Sequence, residues 1–166
     1  MNYHKLSKYD TANGLGVGLV VWCSGCSHHC KGCHNPETWD EHSGREFTDE
    51  TLQEILTEIS HPYVTRVTLS GGDPLFPANR DTVKSIVQTV KSYRPDIKIW
   101  LYTGYTFESL IDLRWLSQVD VIVDGEFVEG LKDISLPFCG SLNQRLIDAP
   151  RSFLTGKTVC FRGLID

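Results

Sequence analysis

Four of the six cysteines fall within eleven residues: Cys23, Cys26, Cys30 and Cys33. Thiolates are soft ligands, and grouped thiolates select zinc, Cu(I) or iron–sulfur clusters. Cys26, Cys30 and Cys33 follow the spacing C-x3-C-x2-C. Three thiolates on one loop can hold three irons of a cubane cluster. The fourth iron then stays open to a small molecule, much as a catalytic zinc keeps an open position. Adding Cys23 completes a four-thiolate set that would suit a closed zinc or electron-transfer site. The other reading of Cys23 is a small buried apolar residue at the end of a strand. His28, His29 and His34 could complete a Cys3His site. However, His34 directly follows Cys33, so binding one metal through both would be strained, and His28 and His29 are expected to be solvated. A surface redox sensor is a further reading of the loop.

The elements that would position these groups alternate between strand and helix. Val17–Cys23 is a short apolar run and reads as a buried strand. A polar loop then carries the cysteines to about Phe47. Thr48 is an N-cap with Asp49 and Glu50 behind it, and Leu52, Ile55, Leu56 and Ile59 form one helical stripe. Pro62 ends that helix. Val64–Leu69 is the second strand, running into Ser70-Gly71-Gly72-Asp73-Pro74. Val83, Ile86, Val87 and Val90 mark a second helix, and Arg94-Pro95-Asp96 a turn. Ile97–Tyr102 is the third strand and ends in Thr103-Gly104. A shorter helix from Thr106 through Leu110, Leu113 and Leu116 is expected next. Val119–Val123 is the fourth strand and ends in Asp124-Gly125. Each suspicious polar or Gly-rich motif therefore follows a strand, and in a parallel sheet all of them share one edge.

A chain of 166 residues is one domain by length and is too short to close an eight-fold barrel of ~250 residues. The expected fold is α/β: an open, partial (βα) barrel or short doubly wound sheet, mainly parallel. The net charge of −5 argues against a bulk electrostatic grip on nucleic acid or an anionic membrane. No apolar run approaches the ~20 residues of a membrane span, and the polar start lacks the apolar core of a signal peptide. A cytoplasmic location is the expectation.

The stretch SGCSHHCKGCHNPETW (Ser24–Trp39) resembles the radical S-adenosylmethionine superfamily in its glycyl-radical-activating branch. There the three cysteines are followed by an aromatic residue or His, then Asn, and soon Thr-Trp. TLSGGDPLFPAN, IWLYTGYTFE, VDVIVDGEF and GSLNQRLID are similar to successive blocks of the activating enzymes of anaerobic ribonucleoside-triphosphate reductase. The resemblance runs from about Asn2 to Asp148. It implies a radical SAM domain over 1–148, of the open partial-barrel type, and a C-terminal tail over 149–166 with a short strand near Thr158–Phe161.

The resemblance also implies a 4Fe–4S cluster on Cys26, Cys30 and Cys33. It implies a pocket for S-adenosyl-L-methionine built from Gly32, Cys33, His34, Gly71, Gly72, Asp73, Thr103 and Asp124. SGGDP resembles the family's Gly-Gly-Glu motif, with Asp73 in place of Glu. The glycines let backbone approach a ligand, and carbonyls with a carboxylate suit an ammonium. Thr103 as a helix-leading cap and Asp124 as a turn residue are the alternatives. Trp100 and Tyr102 can equally be core. The implied reaction is one-electron cleavage of S-adenosylmethionine to methionine and a 5′-deoxyadenosyl radical, which takes a hydrogen atom from a glycine Cα. The implied partners are the glycyl-radical subunit of anaerobic ribonucleoside-triphosphate reductase and a flavodoxin-like electron donor. The alternatives are activation of another glycyl-radical enzyme of the pyruvate formate-lyase type, whose activase is longer, or a non-catalytic four-Cys metal module.

Two departures from the family pattern concern charge. Asn13-Gly14-Leu15-Gly16-Val17-Gly18 lacks the usual Pro and Arg, and Cys139 stands where an Arg is usual. Asn143-Gln144-Arg145 reads either as solvated charge or as a partner-docking block. The ligand assignment is tested by iron analysis after anaerobic reconstitution: Cys30→Ala abolishes cluster assembly and Cys139→Ala does not. Equal iron loss in both would contradict it.

Overall fold

The apolar run after Val17 becomes β2 (Gly18–Cys23), in which every residue but Trp22 is buried. A strand buried on both faces belongs inside a sheet. In the computed structural model, which describes residues 1–163, β2 is followed in parallel by β4 (Arg66–Gly71), β5 (Lys98–Tyr102) and β6 (Val121–Asp124). On one side β2 pairs antiparallel with β1 (Asn2–Asp10), which pairs antiparallel with the two-residue β3 (Arg45–Glu46). On the other side β6 pairs antiparallel with β7 (Arg145–Asp148). The seven strands form one sheet in the order β3-β1-β2-β4-β5-β6-β7.

Alternating side chains give the sheet two different faces. Leu19, Val21, Val67, Leu69, Ile99, Leu101 and Ile122 point to the face covered by helices α1 (Asp49–Ile59) and α2 (Arg80–Tyr93). The helices contribute Ile55, Ile59, Val83, Ile86, Val87 and Val90 to that core. Each such side chain stabilises the fold by roughly 1.5–3 kcal/mol through burial. Thr48 caps α1 by accepting a bond from the Thr51 N–H in a reciprocal capping box. The opposite face carries a smaller cluster of Trp100, Val121 and Val123, with Tyr102, Phe138, Cys139, Leu146 and Phe161 against it. Among the described residues, no helix is long and apolar enough to cross a membrane.

The expected open partial barrel with a mainly parallel sheet is not what forms. The sheet is mixed, with as many antiparallel ladders (β1–β2, β1–β3 and β6–β7) as parallel ones. Helices are few, and the last crossover has no α-helix: Phe107–Leu110 and Arg114–Gln118 are two 3-10 turns. The apolar residues Phe107, Leu110, Leu113 and Leu116 recur every three positions, which is the 3-10 repeat rather than 3.6. β1 escaped the periodicity reading because only Tyr3 within it is buried. β7 escaped it because four residues, RLID, carry too little pattern.

Beyond β7 the chain continues into α3 (Ala149–Thr155), which buries Ala149, Ser152 and Phe153. The Phe153 ring meets Phe107 edge-on at 5.1 Å. Cys160 makes a single antiparallel bridge to Ile147 where a short strand was expected. Residues 164–166 of the expected tail lie outside the described residues.

Arg145 is not a solvated charge. Its Nε donates to Asp124 Oδ1 at 3.0 Å, and its Nη2 donates to Glu108 Oε2 at 2.8 Å. These bonds lock β7 to β6 and to the last crossover. The Glu108 carboxyl is held down from 4.5 to about 2, chiefly by the Arg145 guanidinium and then by the Thr158 hydroxyl. A depressed acid contributes stability that is present above its unfolded value and is lost as pH falls through the folded one. The urea midpoint therefore declines between pH 4.5 and 2, and Glu108→Gln makes that decline shallower. Superimposable pH profiles would refute the link.

Candidate functional site

Because β2, β4, β5 and β6 run parallel, their carboxyl ends share one edge of the sheet. At that edge lies a cavity of about 440 Å³. It is lined by Cys26, Cys30 and Cys33, by Gly71, Gly72 and Asp73, by Thr103 and Gly104, and by Gly125. Thus the ends of all four strands reach one space, as the motif positions in the sequence require.

The cysteine loop leaves β2 and is strapped to the turn after β4 by backbone bonds. Gly72 N–H donates to Cys23 O at 2.8 Å, and Asp73 N–H to Gly25 O at 2.7 Å. Gly25 and Cys26 N–H groups in turn donate to Thr38 O and Trp39 O. The buried Asn79 amide donates to both Ser24 O and Asp73 O, joining loop and turn again. Gly71 adopts φ +102°, and a Cβ there would stand 2.6 Å from Cys23 O. A Cβ on Gly72 would stand 2.6 Å from Gly25 O. The two glycines therefore bring the turn and the cysteine loop together, whatever they also offer a ligand.

The Asp73 carboxylate is 1 % exposed and accepts bonds from four groups. Leu75 N–H donates at 2.8 Å, the Thr103 hydroxyl at 2.9 Å and Gly104 N–H at 2.9 Å. The fourth is His28 Nε2 at 3.0 Å. His28 Nδ1 faces Glu126 Oε1 at 2.8 Å. Both bonds together need the cationic ring, and the His28 pKa is raised, first by the bond to Asp73. His28 is thus not the solvated loop residue expected. His29 packs on Trp39 with ring centroids 4.8 Å apart.

The cysteines divide into two kinds. Cys23 is fully buried in the helix-side core, and burial pushes its thiol up to about 12. Cys26, Cys30 and Cys33 are partly exposed free thiols on the cavity wall. Partial burial raises the Cys26 and Cys30 thiols. Cys139 also faces the cavity, and burial pushes it up to about 11. Among the described residues, no three His, Cys, Asp or Glu side chains converge on one metal-ion position. A cubane distributes its irons over several thiolates. Three thiols on one loop, facing a cavity with room beyond them, match that donor chemistry.

Of the other residues expected to contact a ligand, His34, Gly71, Gly72, Asp73 and Thr103 line the cavity with the three cysteines. Gly32 and Asp124 are not part of its wall. Gly32 sits against Glu129, and Asp124 is taken up by Arg145 and by the Phe107 N–H at 2.7 Å. Sequence reasoning missed Asn13, Phe127, Phe138 and Gln144, which also line the cavity. Gln144 accepts from Gly140 N–H at 2.8 Å and donates to Gly125 O at 2.9 Å, so it holds the 127–140 segment against β6. Its only signal in the sequence was its place in the NQR block.

A family model described as "4Fe-4S single cluster domain" matches residues 12–147. The chain is similar to the anaerobic ribonucleoside-triphosphate reductase-activating protein of Enterobacteria phage T4, 42 % identical over 146 residues, covering 88 % of this chain and 93 % of the relative. Its counterpart in Vibrio cholerae is 43 % identical over 148 residues, covering 87 % and 96 %. That of Escherichia coli is 38 % identical over 148 residues, with the same coverage.

The close approach at Gly71 gives a direct check on the site. Gly71→Ala forces a Cβ into the β2 backbone at a positive φ and destabilises the fold by at least about 1–3 kcal/mol. Chemical denaturation measures it, and an unchanged midpoint would mean that turn and loop are not packed as described.

Proposed function

This chain belongs to the family of anaerobic ribonucleoside-triphosphate reductase-activating proteins, and we propose that it is a radical S-adenosylmethionine activase for such a reductase. The observation that carries the reading is the placement of Cys26, Cys30 and Cys33 in one cavity with the Gly71-Gly72-Asp73 turn and Thr103. Cys26, Cys30 and Cys33 would hold a 4Fe–4S cluster, which when bound would supply the electron for reductive cleavage of S-adenosylmethionine and so for removal of a hydrogen atom from a glycine Cα of the reductase.

The remaining work belongs to the protein. Gly71 and Gly72 line the cavity and would offer backbone, without side chains in the way, to the ligand's ammonium. Asp73, whose oxygens already meet four donors, shapes the turn more than it contacts the ligand. His34 and Thr103 line the pocket, and the Phe127 and Phe138 rings, also on its lining, would limit the water beside a bound ligand. Gly32 supports the cysteine loop against Glu129, and Asp124 anchors the neighbouring wall. The glycyl-radical subunit of the reductase is the macromolecular partner, and a flavodoxin-like protein is the electron donor.

The experiment is low-temperature EPR of anaerobically reconstituted, dithionite-reduced protein. A reduced 4Fe–4S signal whose g-values shift on adding S-adenosylmethionine is the expected result, with 5′-deoxyadenosine released on mixing with the reductase. A signal indifferent to the ligand overturns the reading in favour of a closed metal module.

A further inference from the structure

The stem of the cysteine loop is held by backbone bonds at Gly25 and Cys26. Between Ser27 and Gly32, side chains tie the loop to the body of the protein. One tie is the Lys31–Glu129 ion pair, whose lysine is 89 % exposed, and such pairs hold little. Another is His28, placed between Cys26 and Cys30 in the sequence. Its side chain is 11 % exposed and reaches Asp73 after β4 and Glu126 after β6. Its ring also meets Tyr105 edge-on at 4.7 Å. The neighbouring backbone is cut to fit this ring. A Cβ on Gly104 would lie 2.5–2.7 Å from His28 ring atoms, at a position whose backbone is otherwise open to any residue.

We propose that His28 is a positioning residue: it clasps the cysteine loop onto the ends of β4, β5 and β6, and Asp73 and Gly104 form the socket that receives it. The proposal adds to the function proposed above, and it rests on the reading of Cys26, Cys30 and Cys33 as cluster ligands only for its metal-dependent arm. Asp73 is a suitable anchor because Thr103, Gly104 and Leu75 already fix it. A ligand loop fixed in this way meets its metal with less ordering left to do, as outer-sphere partners generally achieve.

The first arm uses the apoprotein and iodoacetamide, with mass spectrometry reporting the alkylation rates of Cys26, Cys30 and Cys33. Loss of the ring's bonds to Asp73 and Glu126 raises the open population of the loop by about tenfold or more, so His28→Ala and Gly104→Ala each speed alkylation by at least that factor. His28→Gln, whose amide nitrogen can donate to Asp73 in place of Nε2, restores most of the protection. Because Gly104→Ala acts by evicting the ring, it adds little in a His28→Ala background. The second arm uses the reconstituted protein. His28→Ala loses iron to a chelator about tenfold faster than wild type and broadens the EPR signal, with His28→Gln between the two.

Wild-type alkylation rates in His28→Ala, or an equal effect of Gly104→Ala in both backgrounds, overturn the clasp. If His28→Ala does not fold, the contrast between His28→Gln and Gly104→Ala decides alone: protection in the first and its loss in the second supports the clasp, and no contrast overturns it. A wild-type chain that takes up no iron, yet shows the expected alkylation pattern, supports the clasp and overturns the cluster reading instead.

Discussion

A carboxylate removed from water must have its lone pairs answered by donors, or its burial is too costly to keep. Asp73 is in that position, and the donors that answer it come from different parts of the chain. Leu75 belongs to its own turn, Thr103 and Gly104 to the end of β5, and His28 to the cysteine loop. Satisfying this one group therefore draws the ends of β4 and β5 and the ligand loop to one point. The backbone strap from Gly72 and Asp73 to Cys23 and Gly25 runs beside it, so the loop is fixed by main chain at its stem and by side chain further along.

The sheet provides the frame for that convergence. Four parallel strands deliver their ends to one edge, and the helices on one face leave the other face free for Trp100, Tyr102 and the segment around Phe138. The antiparallel strands close the two sides. β7 is held by the Arg145 guanidinium, which joins Asp124 and Glu108, so the wall of the cavity behind Gly125 is set by charge as well as by ladder bonds. Gln144 continues that wall with three amide bonds, accepting from Gly140 and Ser141 N–H and donating to Gly125 O.

Much of this was legible before the structure. Alternating apolar runs located β2, β4, β5, β6, α1 and α2, because a continuous buried run and a 3.6-residue stripe are strong signals. The cysteine spacing and the glycine pair marked the site, because few other arrangements call for three soft ligands on one loop. The order of the sheet was not legible. The antiparallel edges come from segments with little buried apolar surface, and the last crossover followed a three-residue repeat that resembles a helix in a short window.

The sequence by itself determined the chemistry available at the site and the elements that carry it, since both depend on local residue type and spacing. Tertiary structure alone decided which groups are spent on one another. Cys23 lies ten residues before Cys33, yet strand alternation turns it into the core while the others face the cavity. His28 and Asp73 are 45 positions apart and pair at 3.0 Å, and Arg145 and Asp124 are 21 apart and also pair at 3.0 Å. Partners so distant along the chain leave no periodic trace, because their pairing depends on strand order and register rather than on any local pattern.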